Sequence, residues 1–239
     1  MSFEINKAMV LAAGRGTRMR ALTDDLPKPL IQVRNKTLID YVFDNIVRQN
    51  IRDVVVNLCY LGEKIRENCQ KRKDLNFSFS YEEEALETGG GVKKALPLLN
   101  TPSFFVINSD PLWTNGETPA LKRMAQAWNP DESDALLLLV PKEKAVGHDG
   151  SGDYFVYDGK PVRKTNPNEE AHYIFAGIQI LSTSLFKDSP DGKFRLVPLY
   201  DKAQAAGRLS CVIHDGEWFH VGTPEALALA EEKFSAAEH

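Results

Sequence analysis

The sequence predicts an α/β fold, a mixed and mainly parallel sheet flanked by helices, on three observations. Through the first half, short runs that are apolar throughout alternate with amphipathic stretches of helical length. Strands apolar on both faces belong to sheets covered on both sides, which is how parallel sheets are built. The first apolar run leads directly into a glycine-rich turn, and the second half changes to a hairpin-like pattern after Pro141.

Each element follows in turn. Residues 8–12 (AMVLA) read as a buried strand. In 37–49 the apolar positions Leu38, Tyr41, Val42 and Ile46 share one face of a helix. Residues 53–58 (DVVVNL) form a second buried strand. An exposed helix over 62–73 and an alternating strand over 76–81 follow. Residues 90–99 read as a helix ending at Pro97 or soon after. SFFVIN (103–108) and ALLLLV (135–140) are further buried strands. Residues 153–157 and 162–164, joined through Asp158-Gly159, predict a β-hairpin. Residues 173–181 and 209–213 are strands, and 195–206 is a helix. A last helix over 223–234 has Thr223 as its cap, Pro224 at its first position and Glu225 in its first turn. No Pro/Gly/Ser-rich linker, repeat or low-complexity segment interrupts the chain. The expectation is one domain over 1–239, a parallel α/β half of about 1–115 followed by a half of about 116–239 with more hairpins.

Composition narrows the function. The 239 residues carry 29 Lys and Arg against 33 Asp and Glu, a net charge of −4 without a basic block. That disfavours nucleic-acid binding, which rests on neutralising phosphates. No apolar run approaches the roughly 20 residues that cross a bilayer. The start of the chain carries Glu4 and no apolar signal core, so a cytoplasmic location is expected. Cys59, Cys69 and Cys211 are odd in number and lack CxxC spacing, which argues against a disulfide framework or a zinc site.

The strongest motif is LAAGRGTRMR, residues 11–20. Gly14 and Gly16 let the backbone turn sharply and approach a ligand. The exposed N–H groups of such a loop form a nest for phosphate oxygens. Arg15, Arg18 and Arg20 add charge suited to phosphate. A GxGxxG fingerprint would need glycine where Met19 stands, and the GxxxxGK[ST] loop is absent. A little further on, Pro27 and Pro29 stiffen the chain around Lys28, which suits a phosphate clamp. Asp110 follows the SFFVIN strand, at the strand end where α/β sheets bind ligands.

Taken together, LAAGRGTRMR and LPKPL resemble the signature of the sugar-1-phosphate nucleotidyltransferases. ETGGG (87–91), NSD (108–110), FAGI (175–178) and WFHVGTP (218–224) resemble further family blocks in family order. The short chain resembles most the N-acetylmuramate-1-phosphate uridylyltransferases of cell-wall recycling and their mannose-1-phosphate guanylyltransferase-like relatives. The resemblance implies a Rossmann-like sheet with a nucleotide-binding half of about 1–115 and a sugar-binding half of about 116–239, NTP (UTP or GTP) and a sugar 1-phosphate as substrates, Mg2+ as cofactor, and a monomer or small homo-oligomer.

It also implies residue roles. Gly14, Gly16 and Thr17 would cradle the β- and γ-phosphates. Leu11, Ala12 and Ala13 would line the base pocket, and Glu87, Gly89 and Gly90 would approach the nucleoside. Arg18 would stabilise departing pyrophosphate, and Lys28 would bridge the α-phosphate and the sugar phosphate. Asp110 would hold Mg2+. Gly152, Asp153, Asn166, Ala176 and Gly177 would line the sugar pocket. Position 220 is a departure: the family commonly has Asp there, and this chain has His220. Histidine fits Mg2+ poorly. Three readings follow: His220 leaves the metal to Asp110, contacts phosphate as a cation, or marks lost activity. The first agrees best with the other, intact blocks. Glu82–Glu84 reads as a solvated turn, and His148, His172 and His214 as surface or satisfied loop histidines. The classes in contention are a Mg2+-dependent nucleotidyltransferase and a non-catalytic nucleotide-sugar-binding regulator, which His220 motivates. A dinucleotide-binding dehydrogenase is a third, disfavoured by Met19.

Overall fold

A computed structural model describes residues 4–234, apart from the side chains of residues 20 and 21. The charge expected of Arg20 and the first residues of the N-terminal segment therefore lie outside the described residues.

The first strand, β1 (Lys7–Leu11), ends in the glycine loop and a 3-10 turn over Thr17–Thr23. A small hairpin of β2 (Gln32–Val33) and β3 (Lys36–Thr37) leads into α1 (Leu38–Arg48). Thr37 caps α1, its Oγ1 accepting from Asp40 N at 3.2 Å, which satisfies one of the free N–H groups of the first turn. Then come β4 (Asp53–Leu58), α2 (Gly62–Lys71), β5 (Asn76–Tyr81) and α3 (Glu87–Leu99). The next elements are β6 (Ser103–Asn108), β7 (Leu112–Trp113), α4 (Ala120–Ala127), β8 (Ala135–Pro141) and β9 (Ala145–Val146). The expected hairpin is β10 (Tyr154–Tyr157) with β11 (Lys160–Arg163), paired antiparallel. The chain continues through β12 (Tyr173–Ser182), α5 (Val197–Ala205), β13 (Leu209–Ile213), β14 (Trp218–Phe219) and α6 (Pro224–Lys233).

One nine-stranded sheet draws on both halves of the chain, in the order β11-β10-β12-β6-β1-β4-β5, with β8 and β13 joined beside β12. The pairs β6-β1-β4-β5 are parallel, whereas β12 runs antiparallel to β6, β8 and β10. The sheet is thus mixed and parallel through β6, β1, β4 and β5, as the sequence predicts. The core lies on both faces. Ala8, Val10, Val54 and Val56 pack against Ile39, Val42 and Phe43 of α1 and Ile65 of α2. Met9, Val55 and Val106 face the other way, onto Val92 and Ala95 of α3 and Leu199 and Ala203 of α5. The uniform apolarity of β1 is explained by that sandwich: alternate side chains enter two different cores.

Helix α3 ends at Leu99, two residues beyond Pro97, as the sequence predicts, but it begins at Glu87, three residues ahead of the expected start. Gly89 therefore lies inside the helix together with Gly90 and Gly91. Helix α4 and the two-residue strands were not legible in the sequence. Strand β14 pairs with both β7 and β9. That small sheet draws the segments after Asp110, Val146 and Trp218 together.

Candidate active site

The parallel strands end on one edge of the sheet, and a cavity of about 420 Å3 opens there. Its wall includes Leu11, Ala13, Gly14, Gly16, Glu87 and Thr88, with Lys28 and Asp110 at one end. A second cavity of about 230 Å3 adjoins it, lined by Asp153, Phe175, Ala176 and Gly177 together with His148, Trp218 and His220. Arg18, Asn108 and Asp110 line both.

The glycine loop is shaped by Lys28. Gly16 has φ +66°, and a Cβ there would stand 2.8 Å from Lys28 Cβ. Only glycine combines that left-handed backbone with so close an approach. Pro27 and Pro29 hold Lys28 in a single 3-10 turn, where the side chain is buried to 11% exposure. Its Nζ donates to Asp110 Oδ2. Asp110 keeps 31% of its side chain exposed, so the pair is open to a ligand on the carboxylate side. Arg18 is exposed at the junction of the cavities. The Arg15 guanidinium lies over the Tyr60 ring, 5.1 Å from its centre.

The second cavity owes its opening to a kink in β12. The ladder to β8 shifts register between Phe175 and Gln179, and Gly177 within it has φ +75°. A Cβ at Gly177 would meet Asn108 Nδ2 at 2.6 Å. Before the kink β12 pairs with β10 at Tyr173, and beyond it with β6 from Ile178 onward. The gap between β10 and β6 is the cavity. Asp153 is fixed at its rim, its Oδ2 accepting from Phe175 N at 2.9 Å. Trp218 Nε1 donates to Ala176 O at 3.1 Å and anchors β14 beside it.

His220 follows β14, with its ring edge-on to His148, centres 5.5 Å apart. Burial, then the charges of Lys28 and Arg18, lower its pKa to about 4, against a smaller opposing effect of Asp110. The imidazole is therefore neutral near pH 7 in this structure. Among the described residues, no group of three or more His, Cys, Asp or Glu side chains is arranged to hold a metal.

Several residues singled out in the sequence lie elsewhere. Gly89 and Gly90 are not in the cavity wall. Their N–H groups donate to Phe194 O at 2.8 and 3.0 Å, and a Cβ at Gly90 would fall 2.0 Å from Gly192 O. They allow α3 to dock on the 192–194 segment. Thr17 is exposed outside the wall. Ala12 is buried below it, its N–H donating to Asn57 Oδ1 at 2.8 Å. Gly152 packs against Ala171, whose O would lie 2.2 Å from a Cβ. Asn166 is exposed, its Oδ1 accepting from Asn168 N.

Other residues were misread or missed. Glu82 is no solvated residue but is 6% exposed, and with Asn57 it reaches the larger cavity. A polar residue inside each of two apolar strands, Asn57 in DVVVNL and Asn108 in SFFVIN, was the available signal. His148 had none, since only the β9–β14 pairing brings it to the cavity. His214 is 1% exposed, with Nε2 against Glu217 O at 3.3 Å.

A glycine loop beside a buried lysine, and a second cavity that shares an arginine and a carboxylate with the first, bring cationic and acidic groups to one junction at the strand ends. The chain belongs to the Nucleotidyl transferase family of enzymes, whose pattern it matches over residues 7–236. It is 38% identical over 235 residues to the N-acetylmuramate alpha-1-phosphate uridylyltransferase of Caulobacter vibrioides, covering 96% of this chain and 97% of that one. The enzyme of the same description from Neisseria meningitidis serogroup B is 34% identical, over 94% and 98% of the two chains. The inositol-1-phosphate CTP transferase of T. maritima has the same fold at a TM-score of 0.78, with 16% identity, across 98% of this chain and 100% of that one. Among the described residues no helix is long and apolar enough to cross a membrane.

Proposed function

We propose that the chain transfers a uridylyl group from UTP to N-acetylmuramate 1-phosphate, giving the UDP-sugar and pyrophosphate, as one catalytic unit spanning both cavities. The observation that carries this reading is the junction. Lys28 and Asp110 pair at the end of the larger cavity, and Arg18 and Asp110 face both. The two relatives matched over nearly their whole length, both described as N-acetylmuramate alpha-1-phosphate uridylyltransferases, support the choice of substrates.

In this mechanism a sugar-phosphate oxygen attacks the α-phosphorus in line, and pyrophosphate leaves. The attacking group is already ionised, so no general base is needed. The protein aligns two anions and offsets their repulsion. The loop around Gly14 and Gly16 takes the β- and γ-phosphates on backbone N–H groups. Lys28 sits between the α-phosphate and the sugar phosphate. Arg18 stabilises the charge that develops on pyrophosphate. Leu11 and Ala13 border the base, with Glu87 and Thr88 on the nucleoside's other side. Asp153, Ala176 and Gly177 border the sugar.

Asp110 is the carboxylate available to a divalent cation. Mg2+ suits that donor set, since it takes one or two carboxylates and completes its shell with phosphate and water oxygens. Bound there it would neutralise the triphosphate. His220, neutral and nitrogen-donating, is a poor partner for so hard an ion.

The test is pyrophosphate release with Mg2+ across four NTPs and a panel of sugar 1-phosphates that includes N-acetylmuramate and mannose 1-phosphates. Turnover that needs UTP and N-acetylmuramate 1-phosphate, and is lost in Asp110→Ala, is the expected result. Turnover with GTP and mannose 1-phosphate would replace the substrates and keep the chemistry. Nucleotide binding without turnover on any pair would favour the regulatory reading.

A further inference from the structure

In the wall of the larger cavity lies a chain of three hydrogen bonds linking segments far apart in sequence. Asn57 near the end of β4 is 3% exposed, and Glu82 just past β5 is 6% exposed. Ala12 N donates to Asn57 Oδ1 at 2.8 Å. Asn57 Nδ2 donates to Glu82 Oε1 at 2.7 Å. Leu86 N donates to Glu82 Oε2 at 2.9 Å. Gly91 of α3 leaves room for the pair: a Cβ there would stand 2.9 Å from both Asn57 Nδ2 and Glu82 Oε1.

The chemistry of this arrangement is specific. The Asn57 side chain must accept at one atom and donate at the other, which an amide does and a carboxylate does not. Glu82 must accept twice. Among the described residues no lysine or arginine pairs with Glu82, so its two oxygens are committed to Asn57 and Leu86 and not to a salt bridge. The two backbone groups held at the ends begin the two segments that flank the cavity. Ala12 opens the glycine loop, and Leu86 precedes Glu87 and Thr88.

We infer that Asn57 and Glu82 form a positioning strut that sets the spacing between the glycine loop and the Glu87–Thr88 segment, and so the affinity for the nucleotide. The inference rests on the proposed nucleotidyl transfer and deepens it. The pair acts through Ala12 and Leu86 and leaves the sugar cavity alone, which neither residue lines.

The test is a swap. Asn57→Asp keeps an acceptor for Ala12 N but sets two carboxylates face to face. Glu82→Gln keeps one acceptor where two are needed. The double variant Asn57→Asp/Glu82→Gln restores all three links with the middle one reversed: the new carboxylate accepts from Ala12 N and from the new amide, whose oxygen accepts from Leu86 N. Its net charge equals that of the wild type.

Each single variant is expected to weaken UTP binding by about tenfold or more, measured by calorimetric titration and as KM for UTP. KM for the sugar phosphate should stay within about twofold, and the double variant should return to within about threefold of wild type. A double variant no better than the worse single one overturns the strut. So does an equal rise in both KM values, which marks a general loss of structure. A changed preference among NTPs in Glu82→Gln that the swap leaves in place also overturns it, since Glu82 would then be reading the base directly. The titrations need no turnover, so they decide the strut even where the wild type fails with every sugar phosphate.

Discussion

Two glycines in the same loop should respond to alanine in opposite ways. Gly14 lines the nucleotide-side cavity, has no left-handed backbone, and a Cβ there would meet nothing within 4 Å. Gly16 has φ +66° and would put a Cβ 2.8 Å from Lys28 Cβ. Gly14→Ala should therefore leave the fold between unchanged and about 1 kcal/mol more stable, since it removes only unfolded-state freedom. Gly16→Ala carries a left-handed penalty of about 1–2 kcal/mol, and displacing the Lys28 stem adds to it. Function should order them differently. On the proposed placement of the phosphates, a methyl at Gly14 would occupy their space and block the approach to backbone N–H groups. Losing a hydrogen bond to a charged group costs about 1.5–3 kcal/mol, or about 10- to 150-fold in nucleotide affinity. Urea denaturation measures the first quantity and calorimetric titration with UTP the second. A Gly14→Ala protein that binds UTP like wild type would refute the placement of the phosphates. One destabilised as much as Gly16→Ala would refute the steric reasoning itself.

Other outcomes follow from the same geometry. Lys28→Met should lower kcat/KM by about 100-fold or more by removing the charge between two anions, while stability falls by only about 1 kcal/mol because Asp110 remains a third exposed to water. A pyrophosphate-release assay paired with a urea melt checks both. His214 is buried and its pKa is lowered, by burial first. The unfolded chain then binds a proton that the folded chain resists, so stability is present above about pH 6.5 and falls as pH drops below it. Urea midpoints at pH 7.5 and 5.5 should differ more in wild type than in His214→Gln. Burial raises the thiol of Cys69 to about 12 and that of Cys211 to about 11. Neither should react with iodoacetamide at pH 7.5 in the native protein, read by intact mass, and both should react after unfolding.

Much of this was legible in the sequence for definite reasons. Strand β1 is apolar at consecutive positions because it faces two cores, and that pattern survives without coordinates. The cap at Thr223 is equally local: its Oγ1 accepts from Ala226 N at 3.2 Å, as Thr-Pro-Glu predicts. Gly16 and Lys28 announce themselves because backbone conformation and ring constraint are properties of single residues. Helix α4 was missed, having only eight residues and no side-chain cap. The glycines of α3 show the opposite failure. The resemblance sets Gly89 and Gly90 against the nucleoside, yet their N–H groups bond Phe194 O, more than a hundred positions away.

The sequence by itself determined the layered α/β architecture, the glycine loop and the lysine held between prolines, because these depend on periodicity and local backbone chemistry. Tertiary structure alone decided that Lys28 meets Asp110, that Asn57 and Glu82 join beneath the loop, and that His148 and His220 share one cavity. Those meetings depend on strand order and register, above all on the kink at Gly177 and the pairing of β14 with β7 and β9. Order and register are settled by how the whole core packs, and no short stretch of residues carries that information.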